Sequence, residues 1–175
     1  MKKYTSILMA VVLAAASAFA GAADFQRTST ITLVDGTSDF GPASAFSAGN
    51  LDKTFSDVFN FSIPSLSSAD SNVSSVSIGD NAGIDFSRFD LYKVGSPIAA
   101  ATGSLDVDSG LWILSGTNLA AGNYFFKVEG TIKSADAISY SGNLVVSAVP
   151  EADAYAMLLA GLGLVGVIAR RRKSA

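Results

Sequence analysis

The 175-residue chain contains no cysteine and no histidine. It therefore has no thiol nucleophile, no Ser-His-Asp triad, and no thiolate or imidazole ligand for zinc. No glycine-rich loop stands between a predicted strand and a predicted helix, so phosphate and dinucleotide motifs are missing as well. Paired carboxylates remain as a catalytic option, but the acidic residues are scattered over predicted turns. We expect a protein that is not an enzyme and that binds no metal ion or cofactor.

Basic side chains are scarce in the middle of the chain and concentrate at its two ends. Residues 2–3 and 170–173 hold half of the 12 lysines and arginines, whereas residues 21–150 hold 13 acidic and 6 basic side chains. The middle part thus has a net charge near −7, which argues against nucleic acid or anionic lipid as its partner. The basic runs at the ends are typical of membrane-topology signals.

The first twenty residues have the layout of a secretory signal peptide. A basic start at residues 2–3 precedes an apolar stretch over residues 7–16, and Ala18 and Ala20 then form a small-x-small cleavage site. We expect export through the Sec translocon and cleavage by signal peptidase after Ala20, with Ala22 as the alternative position. The other interpretation of this segment is an uncleaved N-terminal anchor.

The last 27 residues, 149–175, form a second segment with a distinct composition. A short motif at 149–153 is followed by fifteen uncharged residues, Tyr155 to Ala169, and then by Arg170, Arg171, Arg172 and Lys173. Fifteen residues make about 22 Å of helix, less than the roughly 30 Å of a bilayer core. Such a helix still inserts if the arginines snorkel or the bilayer thins. We predict a single transmembrane helix with its basic tail in the cytoplasm and the preceding chain outside.

This layout resembles the PEP-CTERM sorting signal of Gram-negative bacteria, which has a Pro-Glu-Pro motif, one transmembrane helix and an arginine-rich tail. Val149, Pro150 and Glu151 match the motif, and Ala152 stands in place of the second proline. The resemblance implies processing near these residues by exosortase, a membrane cysteine transpeptidase. It also implies passage through the inner membrane to the cell surface or extracellular matrix, in association with exopolysaccharide and biofilm. The alternative is an ordinary anchor that holds the protein in the inner membrane.

Between these two ends, apolar residues recur with a period of two, which is typical of β-strands. We predict one all-β domain over residues 21–148, an antiparallel β-sandwich of jelly-roll or immunoglobulin-like type with about seven to nine strands. A change of phase in the apolar pattern predicts a β-bulge near Ser87 and Arg88. The turn from Leu119 to Tyr124 resembles a late corner of bacterial β-sandwiches, and Tyr124 is a candidate tyrosine corner.

Phe55, Asp57 and Phe59 fall on one face of a predicted strand. The pattern resembles the Phe-x-Asp-x-Phe signature that names a subfamily of PEP-CTERM proteins. A carboxylate among phenylalanines is costly to desolvate unless it is paired or hydrogen-bonded. Asp57 is either a ligand for a cation or a sugar hydroxyl, or a structural carboxylate that caps turn amides or pairs with a lysine or arginine. We favour the structural role, because a lone aspartate has too few oxygens for a calcium site.

A carbohydrate-binding module, anchored in the inner membrane and facing the periplasm, is the alternative function. It would need aromatic rings exposed for stacking on sugars, and the candidates are Trp112, Tyr92 and Tyr140. Buried rings would simply fill the core, which is the role we favour for Trp112. Two acidic loops, residues 80–85 and 106–110, invite a calcium interpretation, but neither has the closing glutamate of an EF-hand loop.

Overall fold

The structure is a computed structural model that describes residues 23–75, 83–149 and 152–173. The described residues form ten strands and one helix, with the following bounds: β1 Phe25–Thr30, β2 Thr37–Phe40, β3 Thr54–Ile63, β4 Ser67–Ser75, β5 Ile84–Lys93, β6 Ala99–Thr102, β7 Ser104–Asp106, β8 Leu111–Leu119, β9 Gly122–Ile132, β10 Tyr140–Ala148 and α1 Ala152–Lys173. The predicted signal peptide, with Ala18 and Ala20, lies outside this part of the chain, and so do Pro150 and Glu151.

The strands form two five-stranded sheets that share one core. Sheet A has the order β1-β3-β9-β5-β6 and sheet B the order β2-β10-β4-β8-β7. Buried apolar residues from both sheets form a single hydrophobic cluster, as the predicted β-sandwich requires. In β3 and β9 every second residue points into this cluster, which is why their sequences alternate between apolar and polar residues.

The prediction of a purely antiparallel sandwich is wrong at one edge of sheet A. There β1 pairs with β3 in parallel, with Phe25 opposite Phe55 and Thr30 opposite Asn60. After β1 the chain crosses to sheet B, forms β2, and returns through residues 41–53 to β3. Such a crossover lets two neighbouring strands run in the same direction, whereas a tight hairpin would make them antiparallel.

Phenylalanine rings join the two sheets across the core. The Phe40 ring, on β2 of sheet B, lies 5.0 Å from the Phe59 ring and 5.4 Å from the Phe126 ring, both on sheet A. Gly142, on the neighbouring strand β10, leaves the room that Phe40 occupies, because a Cβ at this position would overlap the phenylalanine ring. The close approach therefore depends on both residues, the large one and the small one.

Two local features follow the sequence pattern. The register between β5 and β9 shifts between Phe86 and Arg88, so the predicted bulge is present and turns the apolar side of β5 from Phe86 to Phe89. The Tyr124 hydroxyl donates a hydrogen bond of 2.8 Å to the backbone carbonyl of Ala120, which is the bond back to nearby backbone that a tyrosine corner makes.

Helix α1 begins three residues before the predicted apolar stretch and runs on through the basic tail. Alanine, leucine, methionine and arginine all favour helix, so the sequence contains no stop signal at Ala169. Over the described residues, no helix has the combination of length and apolarity that crossing a membrane requires.

Candidate functional site

Asp57 is a fully buried carboxylate that is paired with an arginine side chain. Its side chain is 1% exposed, although it lies on the core side of β3. The Arg27 guanidinium donates two hydrogen bonds to it, from Nε to Oδ1 at 2.9 Å and from one terminal nitrogen to Oδ2 at 2.7 Å. This fork geometry is the strongest form of an arginine–carboxylate pair. The parallel pairing of β1 and β3 places the two residues directly opposite each other.

Arg27 is held by more than the carboxylate. Its other terminal nitrogen donates to the backbone carbonyl of Ser44 at 3.1 Å, and its guanidinium lies 4.0 Å from the centre of the Phe46 ring. A guanidinium over an aromatic face is attracted electrostatically by the quadrupole of the ring, whose face is negative. Arg27 therefore ties the loop between β2 and β3 to the edge of sheet A.

Tyr140 connects the same carboxylate to the opposite sheet. It lies on β10 of sheet B, is 4% exposed, and donates its hydroxyl proton to Oδ2 of Asp57. Burial raises the pKa of Tyr140 far above its usual value, and the negative charge of Asp57 raises it further. Asp57 thus accepts hydrogen bonds from both sheets of the sandwich.

The Phe-x-Asp-x-Phe residues together form a structural cluster. Phe55 and Phe59 are buried on either side of Asp57, and both rings contact the Tyr140 ring, at 5.4 and 6.4 Å between centres. A small cleft of about 320 Å³ reaches Asp57 and Arg27. Because both carboxylate oxygens already accept hydrogen bonds, the geometry supports the structural role and not the ligand role.

A second polar cluster, which the sequence analysis did not identify, lies on the outer face of sheet A. Glu129 forms ion pairs with Lys127 at 2.8 Å and with Arg88 at 3.2 Å, and it accepts a hydrogen bond of 3.1 Å from the Ser56 hydroxyl. Arg88 also approaches Asp90, at 3.7 Å. The alternation of charged and apolar residues along β9 was the available signal. Neither Glu129 nor Asp90 lines the two clefts described here.

The aromatic residues proposed for sugar stacking do not form an exposed platform. Tyr92 and Tyr140 are buried, and the Tyr92 ring is stacked on Phe125 at 5.2 Å between centres. Trp112 is half-buried and packs against the hydrophobic core. The alternative function requires exposed rings, and these two tyrosines do not provide them, because their strand positions turn them towards packed surfaces.

The acidic loop at residues 106–110 is a hydrogen-bonded turn. Asp106 accepts from the backbone N–H of Asp108 at 3.3 Å and from the Ser109 hydroxyl at 2.6 Å. Aspartate side chains commonly stabilise turns in this way. Most of the other acidic loop, residues 80–82, lies outside the described chain. Within the described ranges, no group of three or more acidic residues is placed to hold a metal ion.

A larger cleft opens at the end of the sandwich where β10 finishes. It has a volume of about 980 Å³, an apolar floor that includes Ile31 and Phe61, and hydroxyl and amide groups such as Thr30 and Asn60 at its sides. Ala148, the last residue of β10, is part of its wall. The cleft and the exit of the chain towards α1 therefore share one end of the domain.

The pairing of sheet B continues up to the first residue of the predicted motif. Ala148 pairs with Ser67 of β4, and the backbone N–H of Val149 donates to the carbonyl of Leu66 at 2.9 Å. Helix α1 begins at Ala152. Two residues, 150 and 151, separate the last sheet hydrogen bond from the helix, and two residues span at most about 7 Å.

The apolar side chains that the structure describes in α1 are exposed on all sides of the helix. Met157, Leu159 and Leu164 are 76%, 67% and 67% exposed, and residues 158, 162 and 165 are also exposed. At about 100° per residue these six positions cover more than half of the helix circumference, and exposed alanine and glycine residues, at 156, 160 and 163, occupy the rest. A helix that is apolar all round is typical of a helix surrounded by other apolar material.

A comparison with protein-family models identifies this terminal segment. Residues 148–173 match the PEP-CTERM protein-sorting motif. The matched range covers the end of β10, the predicted Val149, Pro150 and Glu151, and the whole of α1 with its basic tail. A sorting motif of this kind indicates an exported protein that exosortase sorts to the cell surface.

The comparison with solved structures covers more of the chain but shows much weaker similarity. No curated protein matches the chain. Among solved structures, PliG of Aeromonas hydrophila, a periplasmic inhibitor of g-type lysozyme, aligns with 70% of this chain and 99% of its own, at 13% identity and a TM-score of 0.42. The pre-peptidase C-terminal domain of a Bacillus anthracis collagenase aligns with 71% of this chain and 96% of its own, at 16% identity and a TM-score of 0.39.

Proposed function

We propose that this chain is a non-enzymatic exported protein that reaches the inner membrane through its signal peptide, is held there by α1, and is released to the cell surface or matrix by exosortase. The observation that carries the proposal is the sorting motif at residues 148–173, which follows the last strand directly. The apolar exposure of α1 on all sides supports a period in the membrane.

The order of the elements supports the direction of the proposed pathway. The basic residues Arg170, Arg171, Arg172 and Lys173 follow the apolar stretch, and the positive-inside rule keeps such residues in the cytoplasm. The sandwich domain then lies outside, on the side of the membrane where a signal peptide would deliver it. In this arrangement Val149, Pro150 and Glu151 lie near the outer surface of the membrane, within reach of a membrane transpeptidase.

We also propose that the released protein belongs to an extracellular matrix that contains exopolysaccharide, and that Phe55, Asp57 and Phe59 are the signature of its subfamily. The inward orientation of all three residues supports a shared structural role for such a signature. The acidic domain would not adhere to the anionic surface of the membrane that it leaves.

The test is the intact mass and the cell fraction of the protein expressed in its own host, compared with a Pro150→Ala, Glu151→Ala variant. We expect wild type outside the inner membrane and shortened at both ends, and the variant membrane-bound with its C-terminal tail. A Pro97→Ala, Asp108→Ala variant likewise replaces one proline and one acidic residue, both at exposed positions between strands, and should be processed like wild type. If wild type also keeps its tail in the inner membrane, the segment is only an anchor and the sorting proposal fails.

A further inference from the structure

The end of β10 is part of a folded sheet at the place where processing is proposed. Antiparallel pairing with β4 runs from Tyr140 to Ala148, and Val149 adds one further hydrogen bond to Leu66. On the other side of β10, the backbone N–H of Val146 donates to the carbonyl of Gly36 at 2.7 Å. The residues that precede the motif are therefore bonded to neighbours on both sides.

A peptide-cleaving enzyme has to enclose the chain on both sides of the bond that it breaks. For cleavage near Val149, the residues on the N-terminal side are the last ones of β10, and these cannot enter an enzyme cleft while they are bonded to β4. Two intervening residues give too little length to carry the target away from the sheet.

The end of β10 is suited to local separation. Ser147 and Ala148 are exposed and small, so little apolar contact is lost when they leave the sheet. Further back, Leu144 is fully buried and Tyr140 is bonded to Asp57, so opening that far would disrupt the core. The β4 strand is also irregular at this point, since its register with β8 shifts between Ser67 and Ala69. Opening can therefore stop near Val146 and leave the sandwich folded.

We propose that exosortase acts on this chain only after residues 146–149 have separated from β4, so that the pairing at the end of β10 sets the rate of processing. This inference rests on the proposed sorting function, and it adds that the folded domain itself regulates the rate of processing. The motif alone is then insufficient for fast processing, because the domain holds the residues next to it.

A cross-strand disulfide tests the proposal directly. Val149 is hydrogen-bonded to Leu66, and bonded and non-bonded pairs alternate along an antiparallel ladder, so Ala148 and Ser67 form a non-bonded pair. Their Cα atoms are then about 4.5 Å apart, within the range that a disulfide bridges. The chain has no cysteine, so Ser67→Cys with Ala148→Cys introduces the one possible intramolecular disulfide, and the compartment outside the inner membrane favours its formation.

The readout is the fraction of full chain that loses its C-terminal tail over time in the native host. We expect the oxidised double variant to lose processing, and dithiothreitol to restore it. The single variant Ser67→Cys, which cannot form the bridge, should be processed like wild type. A second variant, with Gly-Ser-Gly inserted between Ala148 and Val149, leaves the pairing of β10 up to Ala148 unchanged and should be processed faster. The same insertion between Ser109 and Gly110, in an exposed turn, should have no effect.

The outcomes separate this inference from the proposed function. If the oxidised variant is processed as fast as wild type, or the spacer changes nothing, the strand pairing does not control processing, although exosortase sorting stands. If wild type itself keeps its tail, both proposals are overturned. Two results together support the proposal that pairing of β10 controls the rate of processing. The oxidised variant loses processing until dithiothreitol is added, and the spacer variant is processed faster than wild type.

Discussion

Replacing Asp57 with asparagine should destabilise the domain strongly while changing its shape very little. Asparagine removes the negative charge and leaves the Arg27 guanidinium with a partner that cannot accept both of its hydrogen bonds. Removing one member of a buried ion pair costs about 3–5 kcal/mol. The Arg27 side chain is 26% exposed, so water compensates part of the loss, and we expect about 3 kcal/mol.

Urea unfolding of the full chain, followed by the fluorescence of the single tryptophan, Trp112, measures this change. With a urea dependence of about 2 kcal/mol per molar, a loss of about 3 kcal/mol lowers the midpoint by about 1.5 M. Asp70→Asn, at an exposed position of β4, is the matched control and should change stability by less than about 0.5 kcal/mol. A double variant, Arg27→Met with Asp57→Leu, leaves no unpaired charge and should be more stable than Asp57→Asn.

The reasoning would be refuted if Asp57→Asn cost less than about 1 kcal/mol, which is the value expected for an exposed ion pair. It would also be refuted if the double variant lost as much stability as Arg27→Met and Asp57→Leu lose together when each is made alone. Such additivity would show that the two residues are not coupled.

Three further changes probe other contacts of the fold, each by its effect on urea unfolding. The unfolded state ionises Tyr140 near pH 10 while the folded state keeps it neutral, because its pKa is raised, so stability should fall as pH rises above about 10. Tyr140→Phe should reduce this slope by up to about 1.4 kcal/mol per pH unit, and an unchanged slope would contradict the assignment. Gly142→Ala should cost about 2 kcal/mol, because its Cβ would overlap the Phe40 ring and the backbone carbonyl of Asn72, and a Phe40→Leu background should relieve only the part that is due to Phe40. Tyr124→Phe should cost about 1 kcal/mol through the lost bond to Ala120, and no loss would show that the corner bond contributes nothing.

The sequence was most informative where a structural property depends on neighbouring residues. The period of two placed Phe55, Asp57 and Phe59 on one face, and the change of phase at Ser87 located the bulge. The spacing from Ala120 to Tyr124 is a local turn, so its hydroxyl bond could also be expected. These features depend on the pleat and on turn geometry, and both are encoded over a few residues.

Contacts between residues that are far apart in the sequence could not be predicted from the apolar pattern. Arg27 lies thirty positions before Asp57, and only the parallel arrangement of β1 and β3 brings them together. An arginine on the same face as Phe25 was a signal that a buried partner exists, but nothing in β1 indicates which of the acidic residues it is. The hydrogen bond from Tyr140 to Asp57 joins residues that are even farther apart in the sequence, 83 positions, and it connects the two sheets.

The position of β10 inside sheet B also decides how the released domain would respond to mechanical force. A matrix protein attached through the residues after Ala148 is pulled along the axis of β10, which lies between β2 and β4. The hydrogen bonds to both neighbours are perpendicular to that pull, so they share the load in shear and do not break one after another. A domain attached at this point resists stretching through a strand that is paired with β4 from Tyr140 to Ala148 and with β2 from Gly142 to Val145.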